Sequence, residues 1–152
     1  MTSLEIAHKI AVPFEGCSLV PYHDPVGYPT IGFGHLLSTD PWADLKKWEP
    51  ISQQQADDLL IRDLLIKRRG VRRLITADLN EWQEGALIDF AFNCGIGNLQ
   101  ASTLRRVINR GEYGAAPAQF MRWVYARKVR LNGLVRRRKA EAEVWSHSKL
   151  LL

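Results

Sequence analysis

The 152-residue chain is poor in cysteine, has no long apolar run and shows no internal repeat. Its two cysteines, Cys17 and Cys94, stand among apolar neighbours without the paired spacing of a metal site. That excludes a disulfide-dense scaffold or a zinc module. The expectation is two reduced packing residues, with a single disulfide as the alternative. No stretch comes near the roughly 20 apolar residues that cross a bilayer. Glu5, His8 and Lys9 interrupt the first apolar segment, so it does not read as a signal peptide. The chain is expected to be made and folded in a cytoplasm. Gly/Ser-rich linkers are absent too, and the length suits one domain with a real core.

Acidic residues are scarce toward the C-terminus. From Arg127 onward, Arg127, Lys128, Arg130, Arg136, Arg137, Arg138, Lys139 and Lys149 face only Glu141 and Glu143, while the whole chain carries +5. A second basic run is Lys67-Arg68-Arg69 with Arg72 and Arg73. Such fields attract polyanions: nucleic acid, an anionic membrane or an acidic wall polymer. The plainer alternative is a solvated helix face.

Proline and glycine, by contrast, are concentrated in one place. Between Leu19 and Leu37, Pro21, Pro25 and Pro29 lie among Gly27, Gly32 and Gly34, which excludes helix and predicts short twisted strands joined by turns. Ahead of them, Leu4, Ala7, Ile10, Ala11 and Phe14 recur at helical spacing over Ser3–Phe14, with Pro13 disturbing the last turn and Gly16 as a stop. A short helix is expected near Pro41–Trp48. Ser52 with Gln55 reads as a capping box that opens a helix broken at Gly70. Asn80 with Gln83 caps an apolar helix, Trp82–Asn93, that ends at Gly95. Ser102 or Thr103 begins another that stops at Gly111, and further helices are expected over Ala115–Tyr125 and Leu134–His147. Trp82, Phe90, Trp123 and Trp145 sit among aliphatics and are expected in the core. With strands confined to the early segment, the class is α+β.

Two acids flank the proline-glycine segment. Glu15 precedes Gly16 and is expected at the end of the first helix, whose carbonyl end carries roughly half a negative charge. A carboxyl that keeps its proton there is what a general acid requires. Asp24, in the turn His23-Asp24-Pro25, is placed where water or backbone donors keep a carboxylate charged. Two carboxyls in contrasting surroundings are the arrangement that glycoside cleavage uses. Thr30 follows in an extended segment from which its hydroxyl can help hold a water. Each residue taken alone is as well explained by an ordinary helix end or an Asx-type turn.

Taken together, the pattern is more specific. Glu15, eight residues, Asp24, five residues, Thr30, then Ile31-Gly32-Phe33-Gly34-His35-Leu36-Leu37 resembles the catalytic signature of the phage-type lysozymes, the endolysins of glycoside hydrolase family 24. Phe90-Ala91-Phe92-Asn93-Cys94-Gly95, Ser102-Thr103-Leu104, Arg122-Trp123 and Gly133-Leu134-Val135-Arg136-Arg137-Arg138 with Glu141 fall in that family's order, so the likeness spans nearly the whole chain. It implies a single lysozyme-like domain: a small N-terminal lobe with a short antiparallel sheet over about 1–50, a long connecting helix over about 52–69, and a helical C-terminal lobe over about 70–152. Substrate would lie in the cleft between the lobes.

The resemblance also implies roles. Glu15 would protonate the leaving sugar's oxygen. Asp24 would stabilise positive charge on the sugar ring and, with Thr30, orient the attacking water, with inversion as the family's usual outcome. Gly32 and Gly34 would bring backbone close to the glycan, Leu36 and Phe92 would line sugar subsites, and Ser102 or Thr103 would touch substrate. His35 is either a structural histidine or a support of the site. One of Arg136, Arg137 and Arg138 can face Glu15, since successive residues project about 100° apart on a helix; the sequence leaves open which.

The implied reaction is hydrolysis of the β-1,4 bond between N-acetylmuramic acid and N-acetylglucosamine in peptidoglycan, by a monomer without cofactor or metal. It would be held in the host cytoplasm until a holin opens the membrane. One departure is Arg127-Lys128, where many relatives carry Gly-Gly, which predicts a stiffer and more basic loop. Two other readings stay open: a lytic transglycosylase on the same bond, disfavoured by Asp24 and Thr30, and a cationic protein gripping nucleic acid or membrane. As a second activity, a basic amphipathic face over Val129–Leu152 would meet anionic outer-membrane leaflets.

Overall fold

The computed structural model of the chain describes residues 1–147, which fall into two compact units. One is Glu15–Asp63; the other joins Met1–Phe14 to the residues from Leu64 onward. A long helix, α2 (Gln53–Leu74), begins in the first and ends in the second.

In the Glu15–Asp63 unit, strands β1 (Ser18–His23), β2 (Pro29–Gly32) and β3 (His35–Leu36) form an antiparallel sheet in the order β1-β2-β3. Pro21 cannot donate to a ladder and sits on the edge strand β1, where the register is irregular between Ser18 and Tyr22. Beyond that irregularity Tyr22 pairs with Thr30 and His23 with Pro29; on the other side Thr30 pairs with Leu36 and Ile31 with His35. Glycine is required in the β2–β3 connection, where Gly32 and Gly34 have φ of 67° and 78°. Ile31, Phe33, Ala43, Ala56 and Leu60 are the buried apolar residues of this unit. The helix expected near Pro41–Trp48 is a single 3-10 turn, Leu45–Lys47. Ser52 and Gln55 bond each other's backbone N–H at the start of α2, as a capping box should.

In the second unit, α1 (Ser3–Ala11) ends three residues earlier than its apolar spacing predicts. Pro13 lacks an N–H and cannot continue the ladder, so Val12 caps the helix and a turn follows, with Phe14 N–H donating to Ala11 C=O. Helix α1 packs on α3 (Glu81–Cys94), whose Asn80/Gln83 capping box and Gly95 stop match the sequence reading. Gly85 makes that approach close: a Cβ there would stand 2.5 Å from Ile6 Cγ2. Gly70 does not break α2, which runs on to Leu74; it gives room to Ile96, whose Cδ1 would meet a Cβ at 2.5 Å. The carbonyl of Leu74 is satisfied by Arg105 Nε and Asn109 Nδ2, both at 3.0 Å.

Helices α4 (Ile96–Ala101), α5 (Thr103–Asn109), α6 (Ala116–Phe120) and α7 (Asn132–Trp145) complete the unit. The helix expected over Ala115–Tyr125 is therefore much shorter. Its last residue, Tyr125, belongs instead to a hairpin, β4 (Tyr125–Ala126) and β5 (Val129–Arg130), so strands are not confined to the early segment. Arg127 and Lys128 turn this hairpin at φ of 49° and 67°, the left-handed conformations that a two-residue hairpin turn demands and that glycine or asparagine usually fills. Phe90, Phe120 and Trp145 are buried and packed ring against ring, with Trp123 half-buried against Phe90. Trp82 is also only half-buried, edge-on to His147.

Candidate active site

Asp24 is built into the turn between β1 and β2. Its Oδ1 accepts three backbone N–H groups, from Val26 (2.9 Å), Gly27 (2.9 Å) and Tyr28 (2.8 Å). The turn is closed as well by Asp24 N–H donating to Tyr28 C=O and Gly27 N–H to Asp24 C=O. Gly27 has φ of 103°, and the Trp42 ring lies on it so closely that a Cβ would come within 2.5 Å. Three donors converging on one oxygen fix the orientation of the carboxylate. Oδ2 has no hydrogen bond among the described residues.

Glu15 lies four residues past the end of α1, beyond the last turn in which a helix dipole acts. The expected helix-end contact is therefore not what surrounds it. Glu15 is half-buried, and its Oε2 is 3.8 Å from where a Cβ on Gly34 would stand. A groove of about 300 Å³ is lined by Glu15, Gly16, Cys17, Ser18, Tyr22 and Gly34. Cys17 is exposed here and is not a packing residue; Cys94 is half-buried, and both are free thiols.

Thr30 is buried, and its hydroxyl donates to Tyr28 C=O at 2.8 Å. That fixes the rotor and leaves the oxygen's lone pairs to accept from a water. Directly opposed residues of an antiparallel pair share a face, so Tyr22, Thr30 and Leu36 form one stripe across the sheet, with Leu36 exposed. Tyr22 lies within electrostatic reach of both acids. Burial first, then the charges of Glu15, Asp24 and Cys17, push its phenol above the ordinary value. His35, on the opposite face, pairs through Nδ1 with Asp63 Oδ2 at 2.8 Å. It is tied to an acid from α2.

Phe92, Ser102 and Thr103 belong to the other unit. Ser102 is buried as the N-cap of α5, its hydroxyl donating to Leu99 C=O and accepting from Arg105 N–H. It is committed to the helix and is withdrawn as a substrate contact; Thr103 stays half-exposed. Phe92 is half-exposed under the guanidinium of Arg137, 6.0 Å from the ring centre.

The arginine run is mostly internal. Arg137 makes a bidentate pair with Asp89 (Nη2–Oδ1 2.7 Å, Nε–Oδ2 3.0 Å), both side chains buried. Arg138 is fully buried, its Nε 2.7 Å from Glu141 Oε1 and its Nη2 donating to Glu141 Oε2 and Asn93 Oδ1. Its Nη1 bonds the Cys94 sulfur. Burial, then hydrogen bonding and repulsion from Asp89, push the Glu141 carboxyl well up, against the pull of Arg138. An outward cationic face on α7 is thus reduced to Arg136 and Lys139. The part of the proposed membrane face beyond His147 lies outside the described residues.

A small antiparallel sheet with one acid just ahead of it and one in its first turn, joined by a long helix to a mainly helical set, is the α+β architecture of a lysozyme-like glycoside hydrolase. The chain belongs to the phage lysozyme family, whose model matches residues 12–141. It is 36% identical over 130 residues to a SAR-endolysin of Enterobacteria phage PA-2, covering 86% of this chain and 76% of that one. To a SAR-endolysin of Escherichia phage Mu it is 31% identical over 142 residues, covering 93% and 80%. Among solved structures, the muramidase domain of SpmX from Asticaccaulis excentricus superposes with a TM-score of 0.79 at 28% identity, covering 91% of this chain and 93% of that one.

Proposed function

We propose that Glu15, Asp24 and Thr30 carry the reaction of this enzyme, a phage endolysin of the muramidase type acting on bacterial peptidoglycan. In this reading Glu15 protonates the glycosidic oxygen as the β-1,4 bond between N-acetylmuramic acid and N-acetylglucosamine breaks. Asp24 offers its unbonded Oδ2 to the positive charge on the sugar and, with the Thr30 hydroxyl, orients the water that attacks from the opposite face. The observation that carries it is the contrast between the acids. Asp24 is fixed by three backbone donors on one oxygen, whereas Glu15 stands half-buried beside the backbone of Gly34. Family membership supports the reaction class.

The glycines at 32 and 34, with Leu36, Phe92 and Thr103, are the proposed glycan contacts, and His35 supports the sheet through Asp63. The proposed path to the wall runs from the host cytoplasm through a holin pore, with the enzyme acting as a monomer. The test of the reaction class is mass analysis of digests of purified sacculi. Reducing muropeptides are expected; anhydro-muropeptides would make the enzyme a lytic transglycosylase.

A further inference from the structure

The groove beside Glu15 contains a hydroxyl that this reaction scheme leaves unused. Tyr22 lines the groove together with Glu15 and Gly34, is half-buried, and its Oη makes no hydrogen bond among the described residues. The β1–β2 register puts it directly opposite Thr30. Its neighbour His23 is held by Ala43 C=O at 2.8 Å and by the Trp42 ring, which anchors the strand from the face opposite the tyrosine's. A hydroxyl oriented by the sheet and left without a protein partner is suited to a ligand that brings its own acceptor.

The surroundings decide which ligand. Burial first, and then the charges of Glu15, Asp24 and Cys17, oppose a phenolate, so the group acts as a neutral donor. A neutral donor suits this place, since a cation between the two acids would compete with the positive charge that develops on the sugar. We infer that Tyr22 is a substrate-binding residue: its Oη donates a hydrogen bond to an oxygen of the sugar occupying the groove, setting that sugar between Glu15 and Asp24. The inference rests on the roles proposed for those two acids.

Tyr22→Phe removes only the hydroxyl. The expected result is a fall of about tenfold in kcat/KM on sacculi, the size of one ordinary hydrogen bond, with the thermal midpoint unchanged. In a Glu15→Gln background, titration with a soluble N-acetylglucosamine–N-acetylmuramic acid tetrasaccharide should show severalfold weaker binding when Tyr22→Phe is added, a readout that simple packing would not move. Wild-type kcat/KM and unchanged affinity in the Phe variant, with Glu15→Gln inactive, overturn the inference alone. An active Glu15→Gln enzyme overturns the site assignment and this inference with it.

Discussion

Asp24→Asn and Asp24→Ala separate what the Asp24 carboxylate does for the turn from what it does for the reaction. Asparagine keeps a carbonyl oxygen where Oδ1 stands, so the N–H groups of Val26, Gly27 and Tyr28 keep an acceptor. The bonds lose their charge assistance, which roughly doubles a hydrogen bond's strength. For this half-exposed turn the cost should be about 1 kcal/mol. Alanine removes the acceptor altogether. Val26 is exposed and its N–H can turn to water, and Gly27 N–H keeps the Asp24 main-chain carbonyl, but the half-buried Tyr28 N–H is left without an acceptor, so the three lost bonds together should cost about 2–3 kcal/mol. For a chain of this length each kcal/mol moves the midpoint by about 2–4 °C, so Asn should lower it by a few degrees and Ala by about 5–10 °C. Activity should not follow that order. Both variants lose the charge proposed to face the developing cation, and both should release reducing ends at least about 100-fold more slowly. An Asp24→Asn enzyme with wild-type turnover would refute the electrostatic role, and equal destabilisation by Asn and Ala would refute the turn.

Two further outcomes test the helical unit. Because Glu141 holds its proton in the folded chain to a higher pH than an unfolded carboxyl does, the folded state binds more protons from the ordinary carboxylate range upward, and stability drains away as pH rises through that window. Glu141→Gln should remove this decline, so urea unfolding followed from the ordinary carboxylate range upward should show the variant gaining on wild type with rising pH; parallel curves would contradict the raised Glu141 carboxyl. Gly85→Ala would drive a methyl into Ile6 and toward Ser3 C=O, 3.1 Å from the new Cβ. Overpacking of this kind costs about 1–3 kcal/mol, more than alanine's helix preference returns, so the thermal midpoint should fall by several degrees; a rise would contradict the close α1–α3 contact.

The sequence was most readable where local chemistry acts alone. The capping boxes at Ser52 and Asn80, the Gly95 stop and the strand-and-turn character of Leu19–Leu37 all depend on neighbours in the chain. Gly70 reads as a helix break in the sequence because a glycine that breaks a helix and one that admits a packed Ile96 look alike in one dimension. The hairpin at Tyr125–Arg130 was hidden because its turn residues are Arg127 and Lys128, where the turn chemistry calls for glycine or asparagine. Of the site, the spacing from Glu15 to Thr30 is legible, whereas the place of Tyr22 in the groove is not. Its signal is the Tyr-x-Asp spacing on a strand, which marks a tyrosine approaching the same turn as the aspartate. Asp89 carried a signal too, as a lone acid inside the apolar run Gly85–Phe92, which must bring a buried cation with it. Arg137 is that cation, and nothing local to either residue names the other.

Release of reducing ends from purified sacculi by Glu15→Gln, measured beside its thermal unfolding, tests the central assignment most directly. A general acid typically contributes about 10²–10⁴-fold, so the variant should fold like wild type and lose at least that much activity. A folded Glu15→Gln enzyme that releases reducing ends at the wild-type rate would contradict the account.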